Sequence, residues 1–212
     1  SGVKVATGDI MAYVISQGVS LVGYPNSDVV FVGDTGNGAG RAQSFTRALV
    51  NWGPAGPYTV SGDIRTEHAQ LGGVGGPTGW PVSRANCNFS DGTCVQAFQH
   101  AYIATRNSSA FSVTDAAILE YYKAAGGPTG RLGAPSGETI PLSREGAAGR
   151  IQAFQSGMIA ASAHGTFAVL GAVKDAYASR GGATGPLGWP TGEQTCGASG
   201  SCAQQFENGL IF

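Results

Sequence analysis

The chain has 212 residues, a formal net charge of -1, 12% charged and 42% hydrophobic residues, and 35 glycines. That near-neutral balance excludes the basic footprint demanded by nucleic acid or an anionic membrane surface, and no apolar run reaches the length of a membrane-crossing helix. Much glycine beside a globular share of apolar residues describes a turn-rich folded chain, not a disordered one.

From the N-terminus, a short apolar piece, Val3 to Val5, precedes a helix with Ile10 and Val14 on its inner face and a turn at 18–25 reading GVSLVGYP. There is no signal-peptide layout, so an exported protein would be present here in processed or excised form. The turn returns at 72–81 as GGVGGPTGWP, at 126–135 as GGPTGRLGAP and at 181–190 as GGATGPLGWP. The closing prolines Pro25, Pro81, Pro135 and Pro190 are 56, 54 and 55 residues apart. A fixed period means four copies of one supersecondary unit. A lone copy would have little core, so a single 1–212 domain with a shared core is expected.

Each proline leads through a polar loop to Gln-x-Phe, at Gln43, Gln96, Gln152 and Gln204, and then to an apolar strand pattern. Turn residues follow, a second strand brings in Tyr58, Phe111 or Phe167, and a helix comes next. Its inward positions are Val60, Ile64, His68 and Leu71, then Ile118, Tyr121 and Tyr122, then Val169, Val173, Ala176 and Tyr177. Ser61 or Thr114 is placed as N-cap and the glycine pair as the stop. The predicted fold is therefore α+β, four tandem β-β-α repeats. Pairing of Gln204–Phe212 with Val3–Val5 is expected to close them into a propeller-like ring with adjacent termini. The Gly36–Gly40 run reads as a flexible loop, since no helix follows it as a phosphate cradle requires.

The four cysteines lie in equivalent loops, and repeat symmetry pairs Cys87 with Cys94 and Cys196 with Cys202. Such bonds persist outside the reducing cytosol. The rival is a zinc site of four thiolates, although structural zinc sites favour tighter cysteine pairs.

Tyr24, Trp80 and Trp189 occupy one repeated turn position, where they serve either as stacking platforms for sugar rings or as core wedges of their own turns. Trp52, at a hairpin tip, is a candidate for exposure and binding. The position three residues past the proline is Asp28, Arg84, Glu138 and Glu193. Its carboxylates suit sugar hydroxyls or loop amides better than catalysis, which needs two carboxylates in unlike environments. His68 falls at a core helix position, while His100 and His164 have no repeated acidic or nucleophilic partner. No G-x-S-x-G, H-E-x-x-H or P-loop is present. No catalytic residue, metal or cofactor is expected.

The GYP, GWP, LGAP and LGWP turns, the acidic residue after the proline, Gln-x-Phe-x-x-Gly and the Tyr-x-x-x-Gly-Gly helix end together resemble the LGFP repeat. The resemblance spans nearly the whole chain. It implies a secreted, cell-wall-associated actinobacterial module, often fused to mycolyltransferases, peptidoglycan amidases or other wall enzymes and holding them on arabinogalactan or related glycan. The sequence departs from the family pattern at Ala134, which replaces the aromatic, at Thr105 and Ala161, which match Trp52, and at Arg84. The expectation is a monomeric, non-catalytic wall-polysaccharide binder using Tyr24, Trp52, Trp80, Trp189, Asp28, Glu138 and Glu193. The alternatives are a protein-interaction or inhibitor module using the loops at 33–41 or 144–150, and a degenerate wall glycan hydrolase.

Overall fold

Each glycine–proline turn is pinned to the strand that follows it. Pro25, Pro81, Pro135 and Pro190 form isolated antiparallel bridges with Phe45, Phe98, Phe154 and Phe206, the phenylalanines of the four Gln-x-Phe pieces. The computed structural model describes residues 2–198 and 200–212. The chain divides into two units, Ser1–Ala110 and Phe111–Phe212.

The first unit opens with helices α1 (Gly8–Gln17) and α2 (Val19–Val22), followed by strands β1 (Val30–Val32), β2 (Gly40–Ser44), β3 (Ala48–Gly53) and β4 (Gly56–Ser61). These strands form one antiparallel sheet in chain order. Ile10, Val14, Val22, Phe45 and Val50 are its core. Helix α3 (Gly62–Gln70) and strands β5 (Cys94–Phe98) and β6 (Ala101–Arg106) come next, and a second core holds Val60, Ile64, Phe98, Ala101 and Ile103. The chain passes into the second unit within β7 (Ser109–Val113).

The second unit contains α4 (Ala116–Ala124), the four-stranded sheet of β8 (Ile140–Arg144), β9 (Ala147–Phe154), β10 (Gly157–Ser162) and β11 (Gly165–Leu170), and then α5 (Gly171–Ser179). It ends with the sheet of β12 (Thr195–Cys196), β13 (Cys202–Phe206) and β14 (Gly209–Ile211). Val169, Val173, Tyr177, Trp189 and Phe206 share its core. Ser61 precedes α3 as N-cap, whereas α4 is capped one residue later than expected, by Asp115, whose carboxylate accepts the Ile118 amide at 3.1 Å. Gly72, Gly126 and Gly181 stop α3, α4 and α5 in the left-handed region, at φ 90, 94 and 86°, where a side chain would be strained.

The ring expected from the sequence does not form. Among the described residues the strands make four separate antiparallel sheets, Val3–Val5 lies outside every strand, and β13 and β14 pair with β12 and with each other. The helices are 4 to 10 residues long, so the class is mainly β with small helices, not four β-β-α repeats. The physical reason lies in how successive modules are joined. Gln43 Nε2 donates to Val5 O and Ser27 O, Gln96 to Thr59 O and Ser83 O, Gln152 to Ser112 O and Gly137 O, and Gln204 to Ala168 O and Gly192 O. Each buried amide ties the end of one module to the loop of the next through a side chain. Closure required Val3–Val5 to add to the sheet of Gln204–Phe212, whereas the Val5 carbonyl accepts from Gln43 Nε2 instead.

The cysteines pair as Cys87–Cys94 and Cys196–Cys202. No free cysteine remains among the described residues, so the four-thiolate zinc alternative has no ligands. The Gly36–Gly40 stretch is a loop held at several points. The Gly36 and Gly38 amides donate to Asp34, and Asn37 Nδ2 donates to Val74 O and Gly76 O.

Candidate functional site

The aromatic residues of the turns separate into two environments. Trp80 and Trp189 are 1% and 0% exposed, which leaves no face for a ligand to stack on, so both are corrected from binding platforms to core residues. A Cβ added at Gly40 or Gly53 would come within 2.6 Å of the Trp80 ring, so β2 and β3 can seat this indole only with glycine at both places. Trp80 Nε1 donates to Gly38 O at 2.9 Å. Trp189 sits the same way over Gly149 on β9. Tyr24, at the same repeat position, is 73% exposed.

Sequence reasoning missed the residue after Gln-x-Phe. Thr46, Gln99, Gln155 and Glu207 each accept the backbone amide of the wedge position, from Tyr24, Trp80, Ala134 and Trp189. The signal was available as a recurring side-chain acceptor at one register. Different residue types hid it.

The carboxylates are each engaged by a different partner. Asp28 pairs with Lys4. Glu138 accepts from the Ser112 amide at 3.1 Å and hydroxyl at 3.3 Å. Glu193 takes Arg131 and the Tyr121 hydroxyl, both at 3.0 Å. Burial and the neighbouring Glu193 raise the Tyr121 phenol above its ordinary pKa. Arg84 is exposed.

Trp52 lies in a cross-strand row. The register sets Phe31 of β1 opposite Arg41 of β2, Arg41 opposite Trp52 of β3, and Trp52 opposite Pro57 of β4. Directly opposed residues project from one face of a sheet, so the row presents an aromatic, a guanidinium and an indole side by side. Phe31 is 78% exposed and Trp52 is half-buried. The Arg41 guanidinium lies over the indole at 4.9 Å and reaches Asp9 of α1 at 2.6 Å. A shallow cavity of about 340 Å³ is lined by Phe31, Ala39, Gly40, Arg41, Trp52 and Gly53. The chemistry on offer is an apolar stacking surface edged by one cation and one carboxylate.

The equivalents of Arg41, two residues before each glutamine, are Cys94, Arg150 and Cys202. In the third module Pro141 faces Arg150, which pairs with Asp115. In the second and fourth modules the place is taken by disulfides. Trp52 was singled out from the sequence, whereas Phe31 and Arg41 were not, because only register makes them its neighbours.

A second polar cluster surrounds Glu207, whose carboxylate reaches His164 at 2.8 Å, the Trp189 amide at 3.1 Å and Arg144 at 3.4 Å. Burial alone would raise its pKa, but the Trp189 amide, His164 and Arg144 more than offset this and hold the carboxyl below its ordinary value. His164, which has no repeated acidic partner, takes one that only the fourth module supplies, since the counterparts of Glu207 are Thr46, Gln99 and Gln155. Arg144, His164 and Glu207, with Thr191 and Asn208, line a cavity of about 450 Å³.

Among the described residues no cluster of three or more His, Cys, Asp or Glu side chains could hold a metal ion, and no helix is long and apolar enough to cross a membrane. A family model described as LGFP repeat matches residues 22–76, 79–130 and 132–185. No curated protein matches the chain.

Proposed function

The chain belongs to the LGFP repeat family, and from that premise we propose that it is a secreted, non-catalytic module that holds arabinogalactan-type cell-wall polysaccharide on the Phe31–Arg41–Trp52 row. The LGFP repeat is a repeat module and not a known catalytic domain, and membership is consistent with association with the cell wall. The two disulfides and the repeats fit an extracellular protein.

The observation that carries the reading is the row itself. A pyranose or furanose ring has an apolar C–H face that suits the indole and phenyl surfaces, while its vicinal hydroxyls suit a guanidinium and carboxylate already paired 2.6 Å apart. Such a shallow site is weak alone. Along a polymer, further contacts add by effective concentration, which a monomer or a fused wall enzyme could both exploit.

The test is co-sedimentation of the full chain with purified wall material, with and without soluble arabinogalactan as competitor. Wild type is expected to sediment and to be displaced, and Trp52→Ala and Phe31→Ala to lose about tenfold in retention, the loss expected for roughly 1.4 kcal/mol of contact. Retention indifferent to arabinogalactan, or unchanged in both variants, would reject the reading. Release of soluble sugar would favour a hydrolase.

A further inference from the structure

Repeated positions carry what folding requires of every module, and a departure confined to one joint points to function. Glu207 is such a departure. Its counterparts Gln99 and Gln155 accept the wedge amide as neutral groups, from Trp80 and Ala134, so accepting the Trp189 amide needs no charge. The residues that compensate the charge are equally local. Arg144 ends β8, and His164, in the β10–β11 turn, stands where the first two modules have Ala55 and Ser108.

Trp189 adds a second departure. It lies on Gly149 as Trp80 lies on Gly40, since a Cβ on either glycine would meet Cη2 and Cζ2 of the indole within 2.6 Å. Trp80 Nε1 donates to Gly38 O, whereas the buried Trp189 Nε1 has no partner among the described residues. The counterpart of Gly38 is Ala147, where β9 runs on to pair with Arg144 of β8 and the carbonyl does not reach the indole. Like pose and like register turn this N–H toward Ala147, and Ala147 lines the cavity beside Glu207. A buried donor left unpaired is costly, and a ligand oxygen there relieves it.

We infer that the cavity bounded by Arg144, Ala147, His164, Thr191, Glu207 and Asn208 binds the vicinal diol of a sugar residue. Its volume of about 450 Å³ falls in the ~300–1,000 Å³ range of small-molecule sites. The Asn208 amide nitrogen already donates to Pro186 O, which leaves its carbonyl oxygen and Glu207 as acceptors. Arg144, the Thr191 hydroxyl and the Trp189 N–H are the donors. A wall of mixed donors and acceptors is answered by groups that both give and take a hydrogen bond, and adjacent hydroxyls do so. Arg144 is shared between Glu207 and Glu145, at 3.4 and 3.2 Å, and His164 holds the other Glu207 oxygen, so no lone charge is left to select an anion or a cation. Among the described residues no phenyl or indole face lines the cavity, so the ligand is gripped by its hydroxyl edge. The site lies wholly in the second unit, shares no lining residue with the Trp52 cavity, and stands whether or not the Phe31–Arg41–Trp52 row binds polysaccharide.

The probes are D-galactose, which carries adjacent hydroxyls, and cyclohexanol, a ring of like size with one. Each is titrated into the full chain while the indole N–H signals of Trp189 and Trp52 are followed by NMR. Saturable movement of the Trp189 signal with D-galactose is expected, with a response to cyclohexanol several-fold weaker. Glu207→Gln copies Gln99 and Gln155 and so keeps the bond to the wedge amide, and Thr191→Val keeps the shape of the wall. Each is expected to weaken D-galactose binding several-fold. Movement of the Trp52 signal alone would overturn this inference while favouring the row in the first unit. A Trp189 signal that stays still, an equal response to the two probes, or binding unchanged in both variants would overturn it as well.

Discussion

The imidazole Nε2 of His68 stands 3.1 Å from the carbonyl oxygen of Gly79. A carbonyl only accepts, so Nε2 carries the proton and the ring is held in one neutral tautomer. It does there what Tyr122 and Tyr177 do with a hydroxyl.

Acid sensitivity follows from that substitution. Burial lowers the His68 pKa below the ordinary 6.5, against a smaller opposing effect of the Gly79 bond. Below pH 6.5 the unfolded chain takes up a proton that the folded chain refuses, so the unfolded state binds more protons. The contribution is fully present above pH 6.5 and is lost as pH falls from there toward the folded-state value. Each unit of separation is worth about 1.4 kcal/mol. Urea unfolding at pH 7.5 and 5.5 should show this loss in wild type and a smaller one in His68→Tyr. An equal loss in the two proteins would refute the assignment.

The two tryptophans of the first unit should separate by role. Trp80→Ala empties a fully buried seat on Gly40 and Gly53 and should cost about 3–5 kcal/mol. Gly53→Ala, whose Cβ would lie 2.5 Å from the Trp80 ring, should cost about 1–3 kcal/mol. Trp52→Ala, at a half-buried site, should cost about 1 kcal/mol. Denaturant midpoints decide it, and a Trp52 variant less stable than the Trp80 variant would reverse the roles.

The glutamine joints can be improved by copying one of them. Gln152 Oε1 accepts from the Thr139 hydroxyl at 3.0 Å, while the Oε1 atoms of Gln43, Gln96 and Gln204 have no partner among the described residues. Thr139→Ala should cost about 1–3 kcal/mol by orphaning a buried acceptor, and Ala85→Thr, at the matching position, should add about 0.5–1.5 kcal/mol. Thermal melts of both variants test this. Destabilisation by Ala85→Thr would show that the second module cannot accept the third module's hydroxyl.

The features legible in the sequence were those made by short stretches of chain. The 55-residue period, the glycine stops, the hairpins and the disulfide pairs all depend on residues close together, so spacing and turn chemistry suffice to find them. Contacts between distant residues were not legible. Tyr24 and Trp80 hold one repeat position and belong to one residue class, yet one is 73% and the other 1% exposed, because only Trp80 finds a hairpin with glycines at Gly40 and Gly53 to receive it. Phe31, Arg41 and Trp52 become neighbours only through strand register, which periodicity leaves open by whole steps along the strand. Ring closure looked economical because pattern alone shows which edges could pair. Whether they do depends on how successive modules meet, and here they meet through the buried amides of Gln43, Gln96, Gln152 and Gln204, whose bonds to backbone carbonyls exist only once the chain has folded.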